Sequence, residues 1–268
     1  MKIGVIGQVN EESFIKTQKR SFEFIELCIN RDYNLDYFYE NIENLNKWSQ
    51  KYDIQIQSIG RWKAPIQNED GILNVWEINI AKKMIDICSN LSCENYVCGI
   101  NYAKNISYYK NIKNAIDYFT ILVNHAKEKN VKISVYNCMN ENFVNSPETW
   151  KIVLGHIPEL GIKYDPSHAI YDKRNYLKET LDWGHRFNHT HIKGSLMVEG
   201  KRIDDPPAGL DQTDWKTFIA LLYYHGYTEG LSIESHSPTW QEELGEKAIN
   251  YTNKFIRKLL IELEETGE

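Results

Sequence analysis

The sequence predicts an α/β protein, a single (β/α)8 TIM barrel with residues 1–268 as one domain. Three observations carry that expectation. Short apolar runs alternate with longer runs of helical period; eight such units fit a chain of 268 residues; and no linker, low-complexity tract or abrupt shift of composition divides it. Strands alternating with helices imply parallel strands joined by crossovers. A doubly wound open sheet is the alternative, weakened because no GxGxxG follows the first strand.

In chain order the strands are read at KIGVIG (2–7), FEFIELCI (22–29), IQIQSIG (54–60), NYVCGIN (95–101), KISVYNC (132–138), GIKYDP (161–166), FNHTHIKG (187–194) and LSIES (231–235). Each is short and rich in β-branched or aromatic residues. Between them, Ile112, Ala115, Ile116, Phe119, Leu122 and Ala126 share one face at a 3.6-residue period, and so do Leu244, Ala248, Tyr251, Phe255 and Leu259. SPETW (146–150) and SPTW (237–240) read as helix starts. In each a Ser can cap free N–H groups, and Pro sits where its missing N–H costs nothing. In a barrel of this kind chemistry belongs at the C-terminal ends of the strands.

Composition narrows the function. At 42% hydrophobic the chain can bury a core, and a net charge of −6 argues against a nucleic-acid partner, which needs a basic surface. MKIGVIGQVN turns polar too soon for a signal peptide, and no apolar run reaches membrane-spanning length. Cys28, Cys88, Cys93, Cys98 and Cys138 lack paired CxxC spacing, so reduced thiols and a cytoplasmic protein are expected. A homo-oligomer is the expectation on general grounds alone.

Three strand ends carry chemistry-bearing residues. IKYDPSHAI closes with Asp165, stopped by Pro166, with His168 three residues on; an Asx turn is the ordinary role of such an Asp. FNHTHIKG places His189 and His191 on one face of a strand, with Lys193 in phase. Either histidine has a core role as its ordinary alternative, and Lys193 that of a snorkelling surface lysine. GLSIESHSPTW closes with Glu234 and His236, also in phase. A carboxylate–imidazole–carboxylate set with open positions suits Mn²⁺, Zn²⁺, Co²⁺ or Mg²⁺. Such a site polarises a carbonyl oxygen while a flanking carboxylate moves a proton. IGRWKAP sets Trp62 at another strand end, where its ring can pack on a sugar face or close the rim. In the loop VEGKRIDDPPAGLDQTDW (198–215), Lys201 and Arg202 can meet a phosphate or hydroxyls, or stay solvated before a helix capped near Asp214.

At these residues the chain resembles the sugar phosphate isomerase/epimerase superfamily, the xylose-isomerase-like TIM barrels. FVNSPETWKIVLGHIPELGIKYDPSHAIY is similar to its helix and Asp-x-x-His strand end, RFNHTHIKG to its His strand, and GLDQTDWKTFIALLYYHGYTEGLSIES to its glycine loop, helix and last Glu strand. FEFIEL and GINY match more loosely. The resemblance implies that Asp165, His191 and Glu234 hold a divalent metal, that Glu234 also transfers a proton, that His168 touches substrate, and that Glu26 lines the pocket.

One departure stands out. VKISVYNC puts Tyr136, then Asn137 and Cys138, where these enzymes carry a second metal-binding, proton-handling Glu. A neutral Tyr136 that hydrogen-bonds substrate is the expected role, since a phenol's pKa is near 10. Asn137 can offer a carbonyl oxygen, and Glu141 follows in the loop. The expected function is metal-dependent isomerisation or epimerisation of a sugar or polyol ketone by enolisation. A one-base lyase or dehydratase on a keto-sugar or inosose is the alternative. A repair nuclease of the endonuclease IV type and a catalytically silent sugar-binding barrel are the other classes.

Overall fold

A computed structural model describes residues 1–139 and 141–261. Parallel strands β1 (Lys2–Gly7), β2 (Phe24–Cys28), β3 (Gln55–Gly60), β4 (Asn95–Cys98), β5 (Lys132–Tyr136), β6 (Gly161–Tyr164) and β7 (Phe187–Ile192) pair in sequence. A short antiparallel hairpin, β8 (Leu196–Val198) and β9 (Lys201–Asp204), interrupts the alternation. Strand β10 (Gly230–Ile233) then lies between β7 and β1 and closes the barrel, with Ile3 opposite Leu231 and Ser232 opposite His191.

Alternation of side chains along the strands divides the core in two. Outward residues such as Ile25, Leu27, Ile133, Ile162, Tyr164 and Leu231 pack with the helices into one large apolar cluster. The interior holds a smaller one, Val97, Tyr136 and Cys138 with Trp62 against them. Below it lies a polar layer: Asn95 Nδ2 donates to Ser58 Oγ (3.3 Å) and Ser134 Oγ donates to Asn95 Oδ1 (2.6 Å). Satisfied in this way, buried polar groups are tolerated. At the barrel floor Gly4 leaves room for the Phe24 ring; a Cβ on Gly4 would come within 2.3 Å of it.

Each strand forms where its run was read, but most stop before the run ends. Residues 99–101, 137–138, 165–166, 193–194 and 234–235 have left the ladder and curl over the mouth. The helix Tyr108–Ala126 buries Ile112, Ala115, Phe119, Leu122 and Ala126 as expected. The helix Glu242–Arg257 uses the expected face in part: Ala248 is buried and Phe255 and, just beyond the helix, Leu259 pack against the core. Leu244 and Tyr251 are exposed, while Gly245, Ala248, Thr252, Asn253 and Ile256 are buried. Its inward side mixes small and polar residues with Ile256, and Ile249 and Phe255 pack beside them. SPETW starts the helix Pro147–His156. SPTW starts none: Ser237 Oγ accepts from the N–H groups of Thr239 and Trp240, and the helix begins at Glu242. Among the described residues no helix is long and apolar enough to cross a membrane, and all five cysteines are free.

Candidate active site at the mouth of the barrel

Strand order brings the ends of β6, β7 and β10 side by side, because β7 pairs with both of the others. Asp165, His191 and Glu234 therefore meet. Each can offer a ligating atom within 4.8 Å of the others'. Glu26, His189 and His191 form a second group of this kind, deeper in the barrel.

Asp165 follows the last residue of β6 and caps the short helix Pro166–Tyr171. Its Oδ1 accepts from Ser167 N (2.9 Å) and Ser167 Oγ (2.7 Å), so the expected turn role falls on one oxygen and leaves the other for the cluster. Oδ2 turns to the Lys193 ammonium at 2.9 Å. The same Nζ lies 3.2 Å from Glu234 Oε2, and it donates to His168 Nε2 at 3.3 Å. An ammonium has three N–H groups, and here three acceptors surround it.

His191 is held from both sides. Nδ1 is 2.9 Å from Glu234 Oε2, and Nε2 is 2.8 Å from Glu26 Oε2. His189 Nε2 donates to the same Glu26 oxygen at 2.8 Å. Glu26 is fully buried beneath the site and ties the two histidines together, because it lies mid-strand on β2 and not at its end.

Electrostatics follow from this packing. Burial, the largest single effect, would push the Asp165 and Glu234 carboxyls up, but Lys193 together with the histidine and Lys163 beside each outweighs it, and both lie below the usual carboxylate range, Glu234 far below. Burial works against the charged Lys193 as well, yet Asp165 and Glu234 together hold its pKa above the ordinary lysine value. Burial and then the Lys193 charge push His168 down to about 3, so its ring is neutral. Lys163, two residues before Asp165 and buried, adds a second cation whose charge lowers both carboxyls.

Tyr136 ends β5 with its ring stacked on Trp62 (centroids 5.8 Å apart, planes at 27°) and seated on Gly99, where a Cβ would come within 2.6 Å. Burial pushes its phenol up, so the hydroxyl stays neutral. Trp62 is half-buried at the rim. Asn137 offers no ligand oxygen: its Oδ1 accepts from Asp165 N (2.9 Å) and its Nδ2 donates to Asp165 O (2.8 Å). Glu141 is exposed.

His236 does not join the cluster. β10 ends at Ile233, which breaks the expected phase, and the exposed ring lies 3.7 Å from Asp205. Lys201 is exposed on the hairpin, while Arg202 pairs with Asp205 and lies over the Tyr171 ring. Asp214 caps the helix Trp215–Tyr224 as expected. Lys163 was missed, although GIKYDP places it in phase with Asp165.

Comparison with known proteins gives the same architecture. A D-psicose 3-epimerase from Clostridium cellulolyticum H10 superposes with a TM-score of 0.76 at 14% identity, covering 97% of this chain and 99% of that one. A D-allulose 3-epimerase from Methylomonas sp. gives 0.75 at 16% identity, over 97% and 98%. The IOLI protein, crystallised with a zinc atom, gives 0.74 at 17%, over 97% and 98%. The uncharacterized protein YfiH of Bacillus subtilis (strain 168) is 26% identical over 164 residues, so the chain spans about half the length of that relative (52%). Residues 15–259 match the family described as Xylose isomerase-like TIM barrel, and the chain belongs to it.

Proposed function

We propose that the protein is an isomerase or epimerase that acts on a sugar or polyol ketone by enolisation. One observation carries the reading: a carboxylate, Glu234, reaches the mouth of the barrel beside a buried ammonium and a neutral imidazole. Removing a proton next to a carbonyl needs a base and a positive or hydrogen-bonding partner for the oxygen that gains charge.

The steps run on this chain's own groups. The substrate's carbonyl oxygen takes the place of His168 Nε2, the longest of the three contacts to Lys193. Drawn toward that oxygen, Lys193 loosens its hold on Glu234, whose basicity rises as substrate binds. Glu234 then takes the proton from the adjacent carbon, and the electron pair moves through the new C=C to the carbonyl oxygen, giving an enediolate. Lys193 donates to that oxygen. Glu234 returns its proton to the former carbonyl carbon while the hydroxyl proton on the first carbon passes to the enediolate oxygen and a new C=O forms there, which completes isomerisation; epimerisation takes its proton from a water on the opposite face, with Glu234 keeping the one it removed. Trp62, at the rim, offers a ring for a sugar face. A divalent ion on Asp165, His191 and Glu234 would supply a Lewis acid at the carbonyl oxygen; the donor types suit it, but Lys193 shares the space.

The test is deuterium exchange. Ketoses and inososes incubated with the protein in D₂O are expected to gain deuterium next to the carbonyl, and Glu234→Gln to lower the rate by at least ~10²-fold. No exchange with any of them would sink the proposal. The neutral Tyr136 in place of a second carboxylate favours one further reading, a one-base dehydratase, for which the product would be lighter by one water.

A further inference from the structure

The resemblance and the fold family imply a divalent ion at Asp165, His191 and Glu234, yet the space between the two carboxylates is already filled. Lys193 Nζ stands 2.9 Å from Asp165 Oδ2 and 3.2 Å from Glu234 Oε2. An ion bound to those same oxygens would sit about 2 Å from each. It would fall inside the contact distance of an ammonium that carries the same sign of charge. His191 turns Nδ1 to Glu234 Oε2 at 2.9 Å and Nε2 to Glu26 Oε2 at 2.8 Å, so an ion would also have to displace the first of these contacts. The neighbouring strand end supplies Tyr136 in place of a third carboxylate, and Lys163 adds a buried cation. Lys193 is no surface lysine able to swing clear: it is 4% exposed and follows β7 into the site. Lys193 thus takes the contacts of both carboxylates, and the Lys163 charge lowers both as well.

We propose that Lys193 is the site's own cation, standing between Asp165 and Glu234 where a divalent ion would bind and keeping one out. The inference rests on the site assignment above and deepens it: the oxygen of the substrate meets an ammonium, not a metal. The donor set fits a metal in type, and Lys193 is what makes it unfit in place.

The experiment is a Mn²⁺ titration of chelator-treated protein, followed by calorimetry and elemental analysis. Wild type is compared with Lys193→Ala, Lys193→Met and the double variant Lys193→Ala/Asp165→Asn. Wild type is expected to hold no stoichiometric Mn²⁺. Lys193→Ala should take up one ion per chain at least ~100-fold more tightly, because a like charge a few ångströms away is gone, and the double variant should lose it. Lys193→Met keeps the apolar stem and serves if the alanine variant fails to fold, as judged by circular dichroism. One ion per wild-type chain, lost in Asp165→Asn, would overturn the proposal. So would a folded Lys193 variant that binds none, for then the lysine was not occupying a metal's place.

Deuterium exchange by chelator-treated wild type separates the two claims. Exchange unchanged by the chelator supports the ammonium. Absence of exchange from every preparation defeats the enolisation reading, while the Mn²⁺ result still decides on Lys193.

Discussion

Asn137 decides where Asp165 points. Its side-chain amide bonds both the N–H and the C=O of Asp165 across the ends of β5 and β6, and all of these groups are buried. Asn137→Ala would leave that N–H and C=O without their partner, at a cost of about 1–3 kcal/mol. Urea unfolding is the measurement, and unchanged stability would mean that the pair is dispensable. Asn137→Asp should not rescue it, since a carboxylate can accept from the N–H but would repel the carbonyl. At this scale the sequence is legible for Asp165, His191, Glu234, His168 and Lys193, because strand parity and strand ends locate them. It misleads at Asn137, whose partner lies 28 residues away and follows from the pairing of two strands. His236 misleads for a related reason: parity holds only while the strand lasts, and β10 stops before it.

Elements are held to the barrel by contacts that periodicity does not announce. Arg61, just past β3, makes a two-pronged pair with Glu77 on the helix Val75–Asn90 (Nε–Oε2 and Nη2–Oε1, both 3.0 Å). Its Nη1 also donates to the carbonyls of Ile29 and Asn30 beyond β2. Both side chains are 2% exposed, so the pair sits in a medium where a lone charge is costly. Glu77→Ala is expected to destabilise by about 3–5 kcal/mol, because it strands the guanidinium; Arg61→Met/Glu77→Leu should recover most of that loss. Failure of the double variant to recover it would assign the cost to the lost Arg61 carbonyl contacts instead. The hairpin β8–β9 was read as a loop, yet its turn had a signal. Glu199 and Gly200 both take positive φ (49° and 73°), the combination a two-residue hairpin turn needs. What masked it was the brevity of the strands and the charge of KRID. On the helix Glu242–Arg257 periodicity places Ala248 and Phe255 correctly and fails at Leu244 and Tyr251, which are exposed while Gly245 and Thr252 beside them are buried.

For the whole molecule, the division of labour between the two ends of the barrel makes a claim of its own. The titratable side chains Asp165, His191 and Glu234 gather at the C-terminal mouth, whereas the floor is filled by Phe24 packed into the space that Gly4 and Gly230 leave. Between them lies the hydrogen-bonded layer of Ser58, Asn95 and Ser134. β1 and β10 meet at the floor with Lys2 opposite Gly230 and Gly4 opposite Ser232, so that seam is where the first and last strands close the ring. Gly4→Ala would thrust a methyl to within 2.3 Å of the Phe24 ring, and overpacking of this kind costs about 1–3 kcal/mol. Phe24→Leu in the same chain makes room, so the double variant should be more stable than the sum of the single losses predicts. In all three variants the deuterium-exchange rate at saturating substrate should stay within about twofold of wild type, since residues at the lower face of such a barrel serve stability and those at the upper face serve the reaction. Thermal melts and exchange rates measured on the same preparations test both halves. A fall in rate that tracks the fall in melting temperature would show that closure of the floor sets the alignment of Glu234, the last residue to enter the site, with Lys193 on β7's exit.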